Sequence, residues 1–362
     1  MFGVGAINNT NRKLHFAHAA KRFAMDAKIT KTRLTRMLSY DWLKIVGVIA
    51  AVILVWSLIF TMTATRITPA QQFHVLNYVG NYTFGDPFYK MYQGAKNALS
   101  YEVMEYKSED FAANKEYVST LMTARLSTYE MDVMFVADIA NPKTAYEDEN
   151  KETQYKHTYL ETFIADYGYR CFDLSDPTLE GNEKSYFKQM EIYLNAYYSG
   201  DWTQEDNLQE ELVERDFRAR VKTNKDKRYK KESQILAGIE KDIGRIKLYR
   251  DGLEQFYQYV AEGYIAYETV EFDYTRGDKT TDHYKGSYSL NICPNEKMEN
   301  LKEYVGYYDE IIEEDGSKTY VKNATNMNVV FFDFGNKVEE GFEYENVLFI
   351  NHLVKTCIEA SK

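Results

Sequence analysis

The chain has 362 residues, with 44 lysines and arginines against 55 aspartates and glutamates, for a net charge of −11. That acidic balance argues against nucleic acid as a partner. Three cysteines (Cys171, Cys293, Cys357) are too few for a disulfide framework and allow one pair at most.

Residues 1–44 form a basic tail, with nine lysines and arginines (Arg12, Lys13, Lys21, Arg22, Lys28, Lys31, Arg33, Arg36, Lys44) against Asp26 and Asp41, a net of +7. Because the whole chain is −11, the remainder is near −18. Residues 45–65 (IVGVIAAVILVWSLIFTMTAT) are an uncharged, mostly apolar run closed by Lys44 and Arg66. At a rise of about 1.5 Å per residue, about 20 such residues match a hydrocarbon core of about 30 Å, which predicts one transmembrane helix. The positive-inside bias places the tail in the cytoplasm and the acidic remainder outside the cell membrane, with Trp42 and Trp56 as interfacial anchors. A cleaved signal peptide fits less well, since the apolar run exceeds the usual length and Thr63-Ala64-Thr65 is a poor cleavage site. No cysteine follows the run to carry a lipid, the next being Cys171.

Residues 66–72, with Pro69, read as a stalk, and the strand Phe73–Val79 then opens a first α/β lobe over 73–183. Turn residues fill Gly80–Pro87, and Phe88, Met91, Tyr92, Ala95 and Leu99 share one helix face. Tyr101–Tyr106 reads as a strand, Asn114–Leu126 as a helix, and Met131–Ala137 as an apolar strand ending at Asp138. This alternation predicts an α/β sheet covered by helices. Tyr159–Ile164 adds a further helix. A helical segment follows over 184–265: Phe187–Tyr198, a helix started by the capping-box-like Thr203–Asp206, and long amphipathic helices over Ser233–Tyr264 that Gly238, Gly244 and Gly252 are expected to interrupt. Over 266–362 the chain turns to strands and hairpins, with turns at Arg276–Asp278 and Asp315-Gly316, a late strand Asn328–Phe332 and a closing helix Val347–Ala360.

Tyr117–Asp138 (YVSTLMTARLSTYEMDVMFVAD) resembles the helix-to-strand unit of extracytoplasmic solute-binding proteins of the type II periplasmic fold. Tyr284–Cys293 (YKGSYSLNIC) resembles that family's return strand, and Met327–Ala360 its closing strand and helix. A basic tail, one spanning helix and such a domain together resemble membrane-anchored proteins of Gram-positive bacteria. The resemblance implies a two-lobed α/β domain with a ligand cleft between the lobes, at strand carboxyl ends and helix N-termini. In this sequence it points to Asp86 and Asp138 as polar contacts, Tyr89 and Trp202 as stacking surfaces, and Tyr288 beside them.

Catalytic motifs are not found. Gly3-Val4-Gly5 begins a dinucleotide fingerprint that fails at Asn8, no phosphate-binding loop or nucleophile elbow occurs, and the six histidines lack metal-ligand spacing. No metal or other cofactor is expected, and an enzyme is not; a hydrolase would rest only on the many outer carboxylates. One basic island interrupts the acidic domain: Arg218, Arg220, Lys222, Lys225, Lys227, Arg228, Lys230 and Lys231, with Asp226 the sole acid among them. It suits envelope polyanions or lipid headgroups, or simply a solvated helix end. Thirty-two tyrosines permit sugar stacking and are equally well used in packing. Two functions follow as expectations. One is capture of a small molecule, a sugar or peptide, for a transporter or sensor. The other is contact with envelope proteins without a small-molecule ligand.

Overall fold

The computed structural model describes residues 42–63, 71–78, 98–100, 105–111, 116–313, 315–334 and 344–361, with single positions at 32, 35, 88, 90 and 91. The chain divides into two compact units, Met1–Arg66 and Ile67–Lys362. In the first, the apolar run forms helix α1 (Trp42–Thr63, 22 residues), with a mean hydropathy of 2.7 over its most apolar part. It is long and apolar enough to cross a membrane. The helix begins ahead of the uncharged run and takes in Lys44, because helix hydrogen bonding needs no apolar side chain and a lysine stem can lie along an apolar surface.

The second unit is mixed α/β. Its described elements are β1 (Gln72–Asn77), β2 (Glu105–Asp110), α2 (Val118–Thr128), β3 (Val133–Ala137), β4 (Ala145–Glu147), β5 (Thr153–Tyr155), α3 (Tyr159–Tyr167), α4 (Tyr186–Tyr197), α5 (Glu210–Asn224), α6 (Glu232–Ala261), β6 (Ala266–Thr275), β7 (Thr281–Asn291), β8 (Tyr307–Ile312), β9 (Lys318–Asn323), β10 (Met327–Phe331) and α7 (Glu345–Ala360). Six strands make one sheet in the order β2-β1-β3-β10-β7-β6. β1 runs parallel to β2 and β3, whereas β10 and β7 add antiparallel neighbours and β6 closes the far edge.

The described residues hold this one six-stranded sheet and the two-stranded hairpins β4–β5 and β8–β9. The physical reason lies in β10. All five of its residues are buried, so the late strand is an interior one and inserts beside β3 instead of founding a second sheet. The expected segments 73–183, 184–265 and 266–362 all fall within the unit Ile67–Lys362.

Alternating residues of the strands divide the core in two. Phe73, Val75, Val133, Phe135, Val329 and Phe331 face a large cluster built with Phe187, Tyr249, Phe256 and Phe349 of α4, α6 and α7. Leu76, Met134, Val136 and Val330 face a smaller cluster with Met122 of α2 and Leu160 and Phe163 of α3. Thr158 caps α3 reciprocally with Glu161, at 3.1 and 3.0 Å.

Three sequence expectations shift. The second strand covers Glu105–Asp110, sharing Glu105 and Tyr106 with the expected Tyr101–Tyr106, whose first four residues lie outside the described ones; it runs further than expected because it is an edge strand whose charged residues are held by pairing with β1 and not by an apolar face. The helix expected from Thr203 starts at Glu210, since the Thr203 hydroxyl and amide both bind Asp201 Oδ1 (2.6 and 3.1 Å) and close a local turn. Helix α6 runs unbroken for 30 residues. Two of its glycines let neighbours approach, while Gly244 faces open space: a Cβ at Gly238 would lie 2.3 Å from Phe217 Cζ, and one at Gly252 2.5 Å from Leu348 Cδ2. The cysteines are all free.

Candidate functional site

Strand order 2-1-3 makes a topological switch point between β1 and β3, and in open α/β sheets ligands sit outside the carboxyl ends of strands at such a point. Here the Tyr78 amide donates to Phe135 O (2.9 Å) and the Asp138 amide to Asn326 O (2.9 Å), so β1, β3 and the turn before β10 are knitted together. Asp138, predicted as a polar contact, is half-buried at this edge. Asp86 and Tyr89, predicted from the loop after β1, lie outside the described residues.

Around Tyr78 gather aromatic and polar groups from α3 and the β6–β7 hairpin. Its ring meets Phe163 edge-on at 5.3 Å, and burial first, then the neighbouring Tyr167 and Asp166, push its phenol up. Arg276 reaches in from the hairpin: Nη2 donates to Ala165 O and to the Tyr284 hydroxyl, both at 2.8 Å, while Nη1 lies 3.8 Å from Asp166. Burial raises the Asp166 carboxyl, and Arg276 opposes that rise.

A distinct pocket of about 260 Å³ lies between edge strand β2, strand β1 and the end of α2. His74, Lys107, Glu109, Arg125 and Glu130 supply its polar lining. Register pairs His74 with Lys107 and Leu76 with Glu109, which sets these side chains on one sheet face. Arg125 Nε donates to Glu109 at 2.7 Å and its Nη1 pairs with Glu130. Those carboxylates, led by Glu109, hold its guanidinium still more firmly protonated. Behind them, Asp132 Oδ2 accepts the His74 amide at 2.7 Å and lies 3.8 Å from Nδ1. Cations and carboxylates side by side suit a small zwitterion or polyol, although Arg125 must release a carboxylate to grip a ligand anion. These residues carry no sequence signal of their own. His74 and Asp132 are 58 positions apart, and only the sheet register brings them together.

The other predicted residues do not join either place. Trp202 packs against the large cluster, its amide donating to Asn195 Oδ1 (2.9 Å) and its carbonyl accepting from Arg250 (3.2 Å). Tyr288 packs against the smaller cluster, its ring filling the space over Gly286 and Gly168. They occupy opposite faces of the sheet. The cause is a bulge: pairing slips between Glu268 and Val270, so Tyr288 and Leu290 point to opposite sides although two apart. Among the described residues no group of three or more His, Cys, Asp or Glu side chains could hold a metal ion.

The hairpin β8–β9 is the opposite of a hollow. It leaves the body at Gly306, where a Cβ would lie 2.3 Å from Asn323 O, and turns at Asp315-Gly316 with Gly316 at φ 81°. Tyr308, Ile311, Ile312, Tyr320 and Val321 are all exposed on it, Ile312 by 68%. Comparison of the chain with family models, with curated proteins and with solved structures finds no match.

Proposed function

We propose that this is a single-pass membrane protein with a cytoplasmic tail and an extracytoplasmic unit that contacts other cell-envelope proteins. The observation that carries this reading is the β8–β9 hairpin, whose isoleucines Ile311 and Ile312 and tyrosines Tyr308 and Tyr320 are exposed. A two-stranded ribbon is marginally stable alone, and among the described residues no third strand joins it, so a partner segment that adds a strand there gains both hydrogen bonds and apolar burial. The apolar helix α1 and the +7 tail support the membrane setting and its orientation.

The test is a photo-crosslinking amino acid placed at Ile312 in the full chain within membranes, with Leu179, 60% exposed elsewhere, as control. A discrete adduct from position 312 alone supports the reading; equal labelling from both positions sinks it. Protease added to intact cells should remove the outer unit.

A second reading, capture of a small polar solute, is favoured by the pocket lined by His74, Lys107, Glu109, Arg125 and Glu130. It sets the ligand on one sheet rather than between lobes. A rise in melting temperature with a zwitterion or sugar that Arg125→Ala abolishes would establish it.

A further inference from the structure

The basic island occupies the tip of the antiparallel hairpin α5–α6, and the structure sorts its charges by residue type. Every arginine is paired: Arg218 with Glu214 and Glu232 at 2.7 and 2.6 Å, Arg220 with the buried Asp242 at 2.9 Å, and Arg228 with Asp226 at 2.6 Å. These pairs consume Asp226 and Glu232, the carboxylates at the tip itself. Lys222, Lys225, Lys227, Lys230 and Lys231 are all exposed, and among the described residues no carboxylate lies within ion-pair reach of them. The tip is also stiff. Phe217 and Tyr229 meet edge-on at 5.0 Å over Gly238, Lys225 ends α5 in the left-handed region at φ 50°, and the Gln234 side chain accepts both the Lys230 and Lys231 amides at 3.1 and 3.0 Å.

We propose that this lysine tip binds anionic phospholipid headgroups at a bilayer surface. Charge complementarity selects the partner: five ammonium groups stand free on a preformed support within a domain that is otherwise strongly acidic and would be repelled by the same surface. Lysine suits this role because its compact charge on a flexible stem follows mobile headgroups without the fixed fork an arginine demands. The proposal rests on the membrane reading for its setting. Eight residues separate the end of α1 from β1, a span of about 30 Å at full extension, so an anchored chain holds the unit at high local concentration beside lipid.

The experiment uses residues 67–362, which carry both core clusters and the whole sheet, with vesicles of phosphatidylcholine alone or mixed with phosphatidylglycerol. The unit should co-sediment with the anionic vesicles and not with the neutral ones, and molar salt should release it. Each lysine near the surface contributes roughly fivefold. The variant Lys222→Gln, Lys225→Gln, Lys227→Gln, Lys230→Gln, Lys231→Gln should therefore lose at least about a hundredfold in binding. A control with the same charge change at exposed sites elsewhere, Lys143→Gln, Lys151→Gln, Lys184→Gln, Lys279→Gln, Lys355→Gln, should bind like the parent. Equal loss in both variants, binding to neutral vesicles, or a unit that ignores vesicles while binding soluble polyphosphate would each overturn the assignment. Failure of the anchor reads out separately, as a full chain that is soluble without detergent.

Discussion

The two faces of the six-stranded sheet are built to different standards. On one, α4, α6 and α7 bury stacked and edge-on aromatics such as Phe187 on Phe256, with ring centres 4.4 Å apart. On the other, α2 and α3 cover a smaller cluster that leaves the His74–Arg125 pocket at its edge and tyrosines around Arg276. The contrast teaches that dense apolar packing and exposed polar groups are separated. The thick face holds the unit together, while the thin face and the projecting tips carry the exposed chemistry.

Five substitutions test that division, beginning with the largest effect. Phe256→Ala on the thick face should cost about 3–5 kcal/mol in urea unfolding, by lost burial and a residual cavity. A cost below about 1 kcal/mol would mean that this face is not the scaffold. Next, Gly252→Ala should destabilise by about 1–3 kcal/mol, because its Cβ enters the space of Leu348 Cδ2 at 2.5 Å. Adding Leu348→Ala should recover part of that loss, and strict additivity of the two changes would contradict the packing described.

The third test is one of pH. Glu345 is buried at the first residue of α7, accepting the Ser100 amide (2.9 Å) and the Tyr249 hydroxyl (2.7 Å) with Arg245 nearby. Burial outweighs these partners and raises its carboxyl above the ordinary 4.5. The folded state thus keeps this proton to higher pH than the unfolded chain. The associated stability is fully present below 4.5 and lost as pH rises through the raised value. Denaturation across that window should show the decline, and Glu345→Gln should flatten it; a variant with the parent's slope would exclude Glu345 as the cause.

The smallest stability effects belong to the thin face and the tips. Arg125→Ala should cost no more than about 1 kcal/mol and less at high salt, because its ion pairs are a quarter to a third exposed. Ile312→Ser should change stability by less than about 0.5 kcal/mol yet remove the adduct formed beside it. If it unfolds the unit instead, the hairpin belongs to the core and the comparison fails.

Much of the local structure was legible beforehand. The runs Phe73–Val79 and Met131–Ala137 read as strands because they are apolar and lie between turn residues, and Asp315-Gly316 read as a turn because glycine takes the positive φ it needs. The expected site was less legible. Of its five residues, Asp86 and Tyr89 lie outside the described residues, Asp138 lies at the expected strand end, and Trp202 and Tyr288 are separated by the sheet itself. A bulge in β7 decides the last point, and no periodicity announces it.

By itself, the sequence determined the apolar helix, the basic tail, the α/β alternation and the basic island, since each depends on residues close together in the chain. Only the tertiary structure decided that the late strand β10 inserts beside β3 in one six-stranded sheet, that α6 runs through its glycines, and that arginines of the island are paired while its lysines stand free. Those outcomes depend on which side chain or strand edge meets which across tens of residues. Local pattern does not encode that choice, whereas close packing and the pairing of buried polar groups do.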